Sequence, residues 1–522
     1  MLFHICDPDS ILEPQLAETG AFDSEPPSPL ASVSGGLRAA AHLLLPAILI
    51  VLFLLPLFGA PFERDQGAYA TIARGWMEGA LPYRDLWDNK GPLLFLWYAA
   101  AFSLFGETVA SPRIAAALAA ALSLFFVRGA ARRLYGERVA RAAGWLYALS
   151  FANVYLQVTA NAEVFMLLPL AAGFWAFAVG VRKGGGGWFL LAGVSTALAV
   201  FTRQSAVLTF GAWFAWLAVL FFRHPAERRR WAAAAAWVAA GAVLGALPFI
   251  VYFGMRGGLG DLWFAMFGFN VAWVAEQSFW LKFVPPLFIE PGPLVGGLLF
   301  WVLCAAGVWR LARRGGREGG LLLAFLAAAE AAAQAMGKGS AHYSIQLLPG
   351  AAIAGAFGIP VVRGWWASGG RLLRAALAAA AAVTAAAVLL AYLQPTADER
   401  FRVQYTWRDY ADDALAAPAI AREVARLSAP GDPVYEWGRS SQIYFLADRR
   451  PSSRWLYNRA YEVDASMLDE VMADLAARPP AVVLVTGEIP VPPPLAGLLA
   501  SDYGPAGRVE YATLYRRLPS AE

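Results

Sequence analysis

The stretch "FERDQGAYATIARGWMEGALPYRDLWDNKG", residues Phe62 to Gly91, interrupts a chain that is otherwise strongly apolar. The 522 residues are 59% hydrophobic and only 15% charged, with a mean hydropathy of +0.50. Soluble domains carry roughly 25% charged residues. The composition is that of a membrane protein, and charge is costly to bring to a membrane face. The side on which Glu63, Arg64, Asp65, Arg74, Arg84, Asp85, Asp88 and Lys90 lie therefore decides the topology.

Apolar runs long enough to cross a hydrocarbon core of about 30 Å recur around the stretch. They fall near 39–60, 113–130, 141–158, 162–181, 188–202, 204–222, 231–254, 291–309, 320–336, 344–362 and 373–393. Another run, Pro92 to Gly106, is short for a crossing helix. If it lies in the interface, the loops carrying Arg132/Arg133/Arg138, Arg182/Lys183, Arg223/Arg228/Arg229/Arg230, Arg310/Arg313/Arg314/Arg317 and Arg363/Arg371 share one side. The positive-inside rule makes that side cytoplasmic. This gives eleven spans, an inside N-terminus, and an outer location for the Phe62–Gly91 stretch. "FTRQSAVL" around Arg203 reads either as a turn between two spans or as a mid-membrane kink, and the choice changes the count by one.

Residues 1–37 are acidic and Pro/Ser-rich and lack a basic signal-type start, so a disordered cytoplasmic leader is expected. Residues 38–394 form the membrane domain, with residues 61–112 as its first outer loop, and residues 395–522 form an outer domain. The net charge of +4 comes without a basic face interleaved with aromatics, which excludes nucleic acid as the expected partner. Cys6 and Cys304 supply neither a metal cluster nor an expected bridge, and the four histidines are too scattered for zinc.

Within the opening stretch, Ala68, Ile72, Trp76 and Met77 recur at helical spacing, which predicts a short amphipathic helix on the membrane surface. Asp65 and Gln66 then sit at its N-terminus, where an acid ordinarily caps the helix. The crowding of charge between two membrane segments reads either as a polar substrate site or as solvated surface charge.

"RDQGAYATIARGWMEGALPYRDLWDNKGPLLFLWYA" resembles the first outer loop of the GT-C glycosyltransferases of the protein O-mannosyltransferase and lipid A aminoarabinose transferase type. The matching positions are Asp65, Tyr69, Ala70, Pro82, Tyr83, Asp88, Lys90 and Pro92. "TANAEVFMLLPL", "AHYSIQLLPG" and "VYEWGRSSQIYFLADRRPSSRWLY" resemble later parts of the same pattern. Many relatives carry Asp-Glu where this chain has Asp65-Gln66, which puts any role of a second acid in doubt.

The resemblance implies an α-helical polytopic membrane fold of the GT-C type with a small C-terminal α/β domain. It implies transfer of a sugar, with inversion, from a polyprenyl-phosphate donor to a lipid, glycan or protein hydroxyl. The location implied is the outer face of a bacterial cytoplasmic membrane. Asp65 would be the base, while Lys90, helped by Arg64 or Arg84, would meet the donor phosphate. Phosphate departs without a proton donor when a cation stabilises it. Gln66, Tyr69 and Asp88 belong to the same implied site. No metal ligands are assigned, and a divalent cation stays open as a cofactor.

Topology adds Asn161, Glu163, Arg203, His342 and Tyr343 at outer span ends, where they would line one cavity. Glu163 reads either as a sugar or acceptor contact or as half of a structural ion pair. Arg203 reads as a site residue or an interface anchor, and His342 as a base, a ligand or a hydrogen-bonded spacer. "GKGS" at 337–340 lacks the first glycine and the strand of a phosphate loop.

The aromatic "DLWFAMFGFNVAWVAEQSFWLKF" predicts an interfacial helix pair. Beyond Pro395, "DPVYEW", "AVVLVTG" and "RVEYATLYRRL" read as strands and "ASMLDEVMADLAAR" as an amphipathic helix. A transporter or flippase of lipid-linked sugars, or a polysaccharide ligase or polymerase, is the alternative function. The absence of a visible internal repeat weighs against transport.

Overall fold

The computed structural model describes residues 29–519 except 158, 159, 278, 315, 336, 338, 405–407, 459, 460, 462 and 487–489. Most of the expected leader, together with Cys6, lies outside the described residues. The first part of the membrane region comprises α1 (Pro29–Leu54), α2 (Arg64–Met77), α3 (Pro92–Phe105), α4 (Ala110–Tyr135), α5 (Glu137–Ser150), α6 (Ala162–Lys183), α7 (Gly186–Thr202), α8 (Val207–Arg223) and α9 (Arg228–Met255). It continues with α10 (Leu259–Trp263), α11 (Phe269–Glu276), α12 (Pro286–Ile289), α13 (Gly292–Gly296), α14 (Leu298–Arg314), α15 (Gly316–Gln334), α16 (Leu348–Ser368) and α17 (Arg371–Tyr392).

Every expected span falls on a helix, but length and apolarity divide them. Seven helical stretches are long and apolar enough to cross a membrane: Ala40–Leu57, Ala110–Tyr135, Ala162–Lys183, Gln204–Arg223, Pro225–Met255, Ala341–Ser368 and Arg371–Tyr392. The other four expected spans, α5, α7, α14 and α15, are shorter or carry more charge, so the count of eleven is not reproduced on that measure. The break at Arg203 is a turn, because its extended backbone (φ −148°, ψ 121°) separates α7 from α8. The helix α3 has 14 residues, about 21 Å at 1.5 Å per residue, too short to span. The aromatic segment forms α10 and α11 joined through a π-helical turn, Phe264–Gly268.

The Ala/Gly-rich runs are packing faces. A methyl placed on Gly307 of α14 would lie 3.1 Å from the Gly358 nitrogen of α16, and one on Gly241 of α9 would lie 2.9 Å from the Val194 nitrogen of α7. Small residues let such backbones approach in a membrane, where dispersion rather than water exclusion drives helix association.

Beyond the bundle come α18 (Ala397–Gln404), α19 (Arg408–Leu427), β1 (Pro433–Trp437), α20 (Gln442–Ala447), β2 (Arg450–Pro451), α21 (Met467–Ala477), β3 (Val482–Thr486), α22 (Pro493–Asp502), β4 (Tyr503–Val509) and β5 (Ala512–Arg517). The sheet order is β2-β1-β3-β5-β4. The neighbours of β1 are parallel to it, and β3-β5-β4 are antiparallel. The late segment expected as one strand divides into parts of β4 and β5, because Glu510 adopts φ 52° and turns the chain into a hairpin.

This domain sits on α2 and the loop after it. Phe445 of α20 stacks on Phe102 (5.4 Å between centroids) and meets Phe62 edge-on (5.3 Å). Ser441 Oγ donates to the Arg64 carbonyl at 2.6 Å, and the Trp87 amide donates to the Arg454 carbonyl at 2.8 Å. Gly67 of α2 lies against the Gln442 backbone so closely that a methyl there would overlap Gln442 Cα.

Candidate active site

The helix α2 forms where expected, but it is not a surface helix with one apolar face. Every residue from Gln66 to Ala73 is buried, because the C-terminal domain covers the side away from the bundle, and Met77, expected on the apolar face, is exposed. Glu63 in extended conformation precedes it, so Asp65 occupies the second helical position, where unpaired N–H groups favour an anion. Arg113 of α4 fixes this entry. Its guanidinium donates to the carbonyls of Leu57 (3.1 Å), Ala60 and Pro61 (2.6 Å), and to Gln66 Oε1 (2.9 Å). Gln66 Nε2 donates in turn to Glu63 Oε1 at 2.9 Å. Gln66 was expected to contact substrate, but with no exposed surface and both ends of its amide bonded it shapes the helix entry instead.

The loop that follows is built to present Lys90. Tyr83, at φ 74°, donates its hydroxyl to the Lys90 carbonyl at 2.7 Å. The buried Asp88 accepts the Lys90 amide on Oδ1 (3.0 Å) and the Tyr457 hydroxyl on Oδ2 (2.8 Å). Burial pushes the Asp88 carboxyl up, the Lys90 charge pulls it down, and nearby Asp65 adds to the rise. The Lys90 ammonium donates to Asn89 Oδ1 at 2.7 Å, lies 5.9 Å from the Tyr69 ring centroid, and makes no ion pair among the described residues. The Asn89 carbonyl accepts Gln204 Nε2 at 2.6 Å, which ties the loop to the turn between α7 and α8.

That turn carries Arg203, which pairs through Nη1 with Glu163 at the start of α6. Both are at least 95% buried. His342 Nε2 lies 3.7 Å from the same Glu163 oxygen, and the Arg203 guanidinium packs 4.2 Å from the Tyr343 ring centroid. Asp65, Asp88 and Glu163 all act electrostatically on the buried Tyr69 hydroxyl, which burial first, and then those charges, hold well above its ordinary pKa. Asp65 also acts on His342. Asp65, Tyr69, Asp88, Lys90, Glu163, Arg203, His342 and Tyr343 thus share one neighbourhood at one end of the bundle. Asn161 precedes α6, its carbonyl accepting the Val164 amide at 3.1 Å, and its buried Oδ1 has no hydrogen-bond partner among the described residues.

Two arginines go elsewhere. Arg64 lies 4.2 Å from the Tyr410 ring centroid and feels Asp413, so it faces α19 of the C-terminal domain. Arg84 is exposed, paired with Asp85 at 2.9 Å and bonded to the Arg256 carbonyl at 3.3 Å. Arg64 or Arg84 was expected to help Lys90, but each has nearer partners and neither joins it. Among the described residues, no three His, Cys, Asp or Glu side chains converge as metal ligands.

A family model described as dolichyl-phosphate-mannose-protein mannosyltransferase matches residues 89–252. Solved structures match far more of the chain. ArnT from Cupriavidus metallidurans bound to undecaprenyl phosphate aligns with a TM-score of 0.61 and 16% identity, over 94% of this chain and 99% of that one. Its apo state aligns at 0.61 and 15%, over 93% and 98% respectively. Archaeal oligosaccharyltransferase AglB from Archaeoglobus fulgidus, in complex with an inhibitory peptide and a dolichol-phosphate, aligns at 0.52 and 12%, over 87% and 70%. The chain has the GT-C fold. No curated protein matches it by sequence.

Sequence reading missed several residues that shape this cluster. Arg113 stood at the outer start of a predicted span, and an arginine there signals a buried acceptor set. Tyr457 lay inside the quoted "SSRWLY" but had no partner until folding brought Asp88 to it. Asn270, which exchanges a 3.1 Å bond with Asn89, carried no signal beyond being polar in an aromatic run.

Proposed function

We propose that this protein is an inverting glycosyltransferase that moves a sugar from a polyprenyl-phosphate carrier to an acceptor hydroxyl at the outer face of a bacterial cytoplasmic membrane. The observation that carries the reading is that Asp65, at a helix N-terminus, and Lys90, a cation outside any described ion pair, both neighbour Tyr69, Asp65 through its charge and Lys90 at 5.9 Å from the ring centroid. Asp65 takes the proton as the acceptor oxygen forms its bond to the anomeric carbon. The bond from that carbon to the phosphate oxygen breaks, and Lys90 meets the charge left on the carrier phosphate. Glu163, Arg203, His342 and Tyr343 form the wall facing the sugar. The described arginine-rich helix ends lie at the opposite end of the bundle, which supports the outer placement. The lipid phosphates bound by ArnT and AglB, which share the fold, support the donor class.

The test uses purified protein in detergent with a synthetic polyprenyl-phosphate sugar. Asp65→Asn keeps carrier binding and lowers transfer by about 10²- to 10⁴-fold, the range for loss of a general base. Full retained transfer rejects Asp65 as the base.

A further inference from the structure

At the bundle end opposite the C-terminal domain, α9 and α15 bring arginines together over Trp231, with Arg182 of α6 close by. The Arg230 and Arg317 guanidinium carbons lie 4.3 and 4.6 Å from its ring centroid. Arg317 feels the like charges of Arg230 and Arg182 as well as Glu227 and Glu318. Both glutamates are engaged by other arginines, Glu227 with Arg230 at 3.0 Å and Glu318 with Arg182 at 3.4 Å. Backbone bonds lock the frame: Arg182 donates to the Leu134 carbonyl (2.9 Å), Arg230 to that of Val181 (3.2 Å), and Tyr135 to that of Glu318 (2.6 Å).

The cluster contains donors without acceptors. Arg317 Nε and Nη2 and Trp231 Nε1 are buried and have no hydrogen-bond partner among the described residues, and Trp231 is 1% exposed. Buried donors are nearly always satisfied, and here three half-exposed arginines share two glutamates, leaving a net positive charge beside the unsatisfied donor atoms. A group with several acceptor oxygens and negative charge answers both conditions, and a phosphate matches the planar arginine fork.

We propose that this cluster binds a phosphate group, supplied by the headgroup of an anionic phospholipid in the leaflet away from the sugar-transfer site. Basic clusters between helix ends at this level fit anionic headgroups. The bound phosphate accepts from Arg317 and neutralises the arginine surplus, holding α9 and α15 together.

Thermal unfolding of the full-length protein in detergent, titrated with phosphatidylglycerol, phosphatidylcholine or inorganic phosphate, tests this. Phosphatidylglycerol raises the unfolding temperature and phosphatidylcholine does not. Arg317→Gln weakens the phosphatidylglycerol effect by about tenfold or more, as expected for loss of a charge-assisted hydrogen bond. Arg317→Lys, which keeps charge without the fork, gives an intermediate loss. Arg138→Gln, which removes an exposed arginine from the same face, leaves the effect intact. A full response to inorganic phosphate upholds the phosphate site and reassigns its source. Equal responses to the two lipids, or wild-type binding in both Arg317 variants, overturn the proposal. The lipid comparison on the unaltered chain decides the matter even if neither variant folds.

Discussion

Replacing Gly67 by alanine measures how firmly the C-terminal domain is seated on α2. Helix propensity alone favours alanine over glycine by about 0.8–1 kcal/mol, which predicts a more stable protein. Packing predicts the reverse. The new methyl would overlap Gln442 Cα and lie 2.6 Å from the Gln442 nitrogen. Carbon contacts sit at roughly 3.5–4.0 Å, and backbone atoms cannot rotate aside, so α2 and α20 must part by about 1 Å.

Overpacking of this kind costs about 1–3 kcal/mol. Three bonds cross the same seam: Ser441 to the Arg64 carbonyl (2.6 Å), Trp87 to the Arg454 carbonyl (2.8 Å) and Tyr457 to Asp88 (2.8 Å). A shift of about 1 Å takes them beyond good geometry, at roughly 0.5–1.5 kcal/mol each. The net expectation is a loss of roughly 2–6 kcal/mol. The assay is the unfolding midpoint in one detergent, with Gly211→Ala on α8 as control, since nothing lies within 4 Å of a methyl there. Gly211→Ala is neutral or gains up to about 1 kcal/mol. If Gly67→Ala behaves the same way, the tight docking inferred here is wrong.

Other expectations follow from buried charge. Arg203→Gln strands the Glu163 carboxylate and lowers stability by about 3–5 kcal/mol, while the double variant with Glu163→Gln recovers much of that; strictly additive losses in unfolding midpoints would show that the pair is not coupled. Glu436 of β1 accepts from Thr486 and Ser440, yet its Oε2 is unpaired, and burial pushes its carboxyl up to about 7 from 4.5. The folded state therefore holds a proton that the unfolded state has released. Stability falls as pH rises from about 4.5 to about 7, by about 3 kcal/mol in all at roughly 1.4 kcal/mol per pH unit. Glu436→Gln should flatten this part of the stability profile, and an unchanged slope would assign it to another group.

The elements legible in the sequence were those set by local pattern. Apolar length gave each membrane helix its place, and the spacing of Ala68, Ile72 and Trp76 gave α2. Charge density pointed to the loop where Asp65, Asp88 and Lys90 lie close to Tyr69. Side-chain direction was not legible, because it depends on partners far along the chain. Arg64 and Lys90 look alike as cations beside Asp65, yet Tyr410 draws one away while Asn89 and Tyr83 hold the other loop in place. Gln66 looked like a substrate ligand until Arg113, 47 residues later, occupied its carbonyl oxygen. The number of crossings was not settled by local pattern, since α5, α7, α14 and α15 were each expected as spans yet are too short or too charged to qualify as crossing helices by length and apolarity.

The geometry separates the two ends of the proposed reaction mechanically. Asp65 is positioned by Arg113, a residue of the membrane bundle that bonds the chain leading into α2. Lys90 is positioned through Asp88, whose second oxygen is held by Tyr457 of the C-terminal domain. The proposed base and phosphate partner therefore answer to different bodies, and their spacing depends on how the C-terminal domain seats. Through Tyr457 the C-terminal domain thus helps set the distance across which the proposed transfer would occur, and misplacement by about 1 Å is enough to cost rate. The close approach at Gly67 keeps that seat rigid. The C-terminal domain is on this argument part of the active-site scaffold as well as a cover above it.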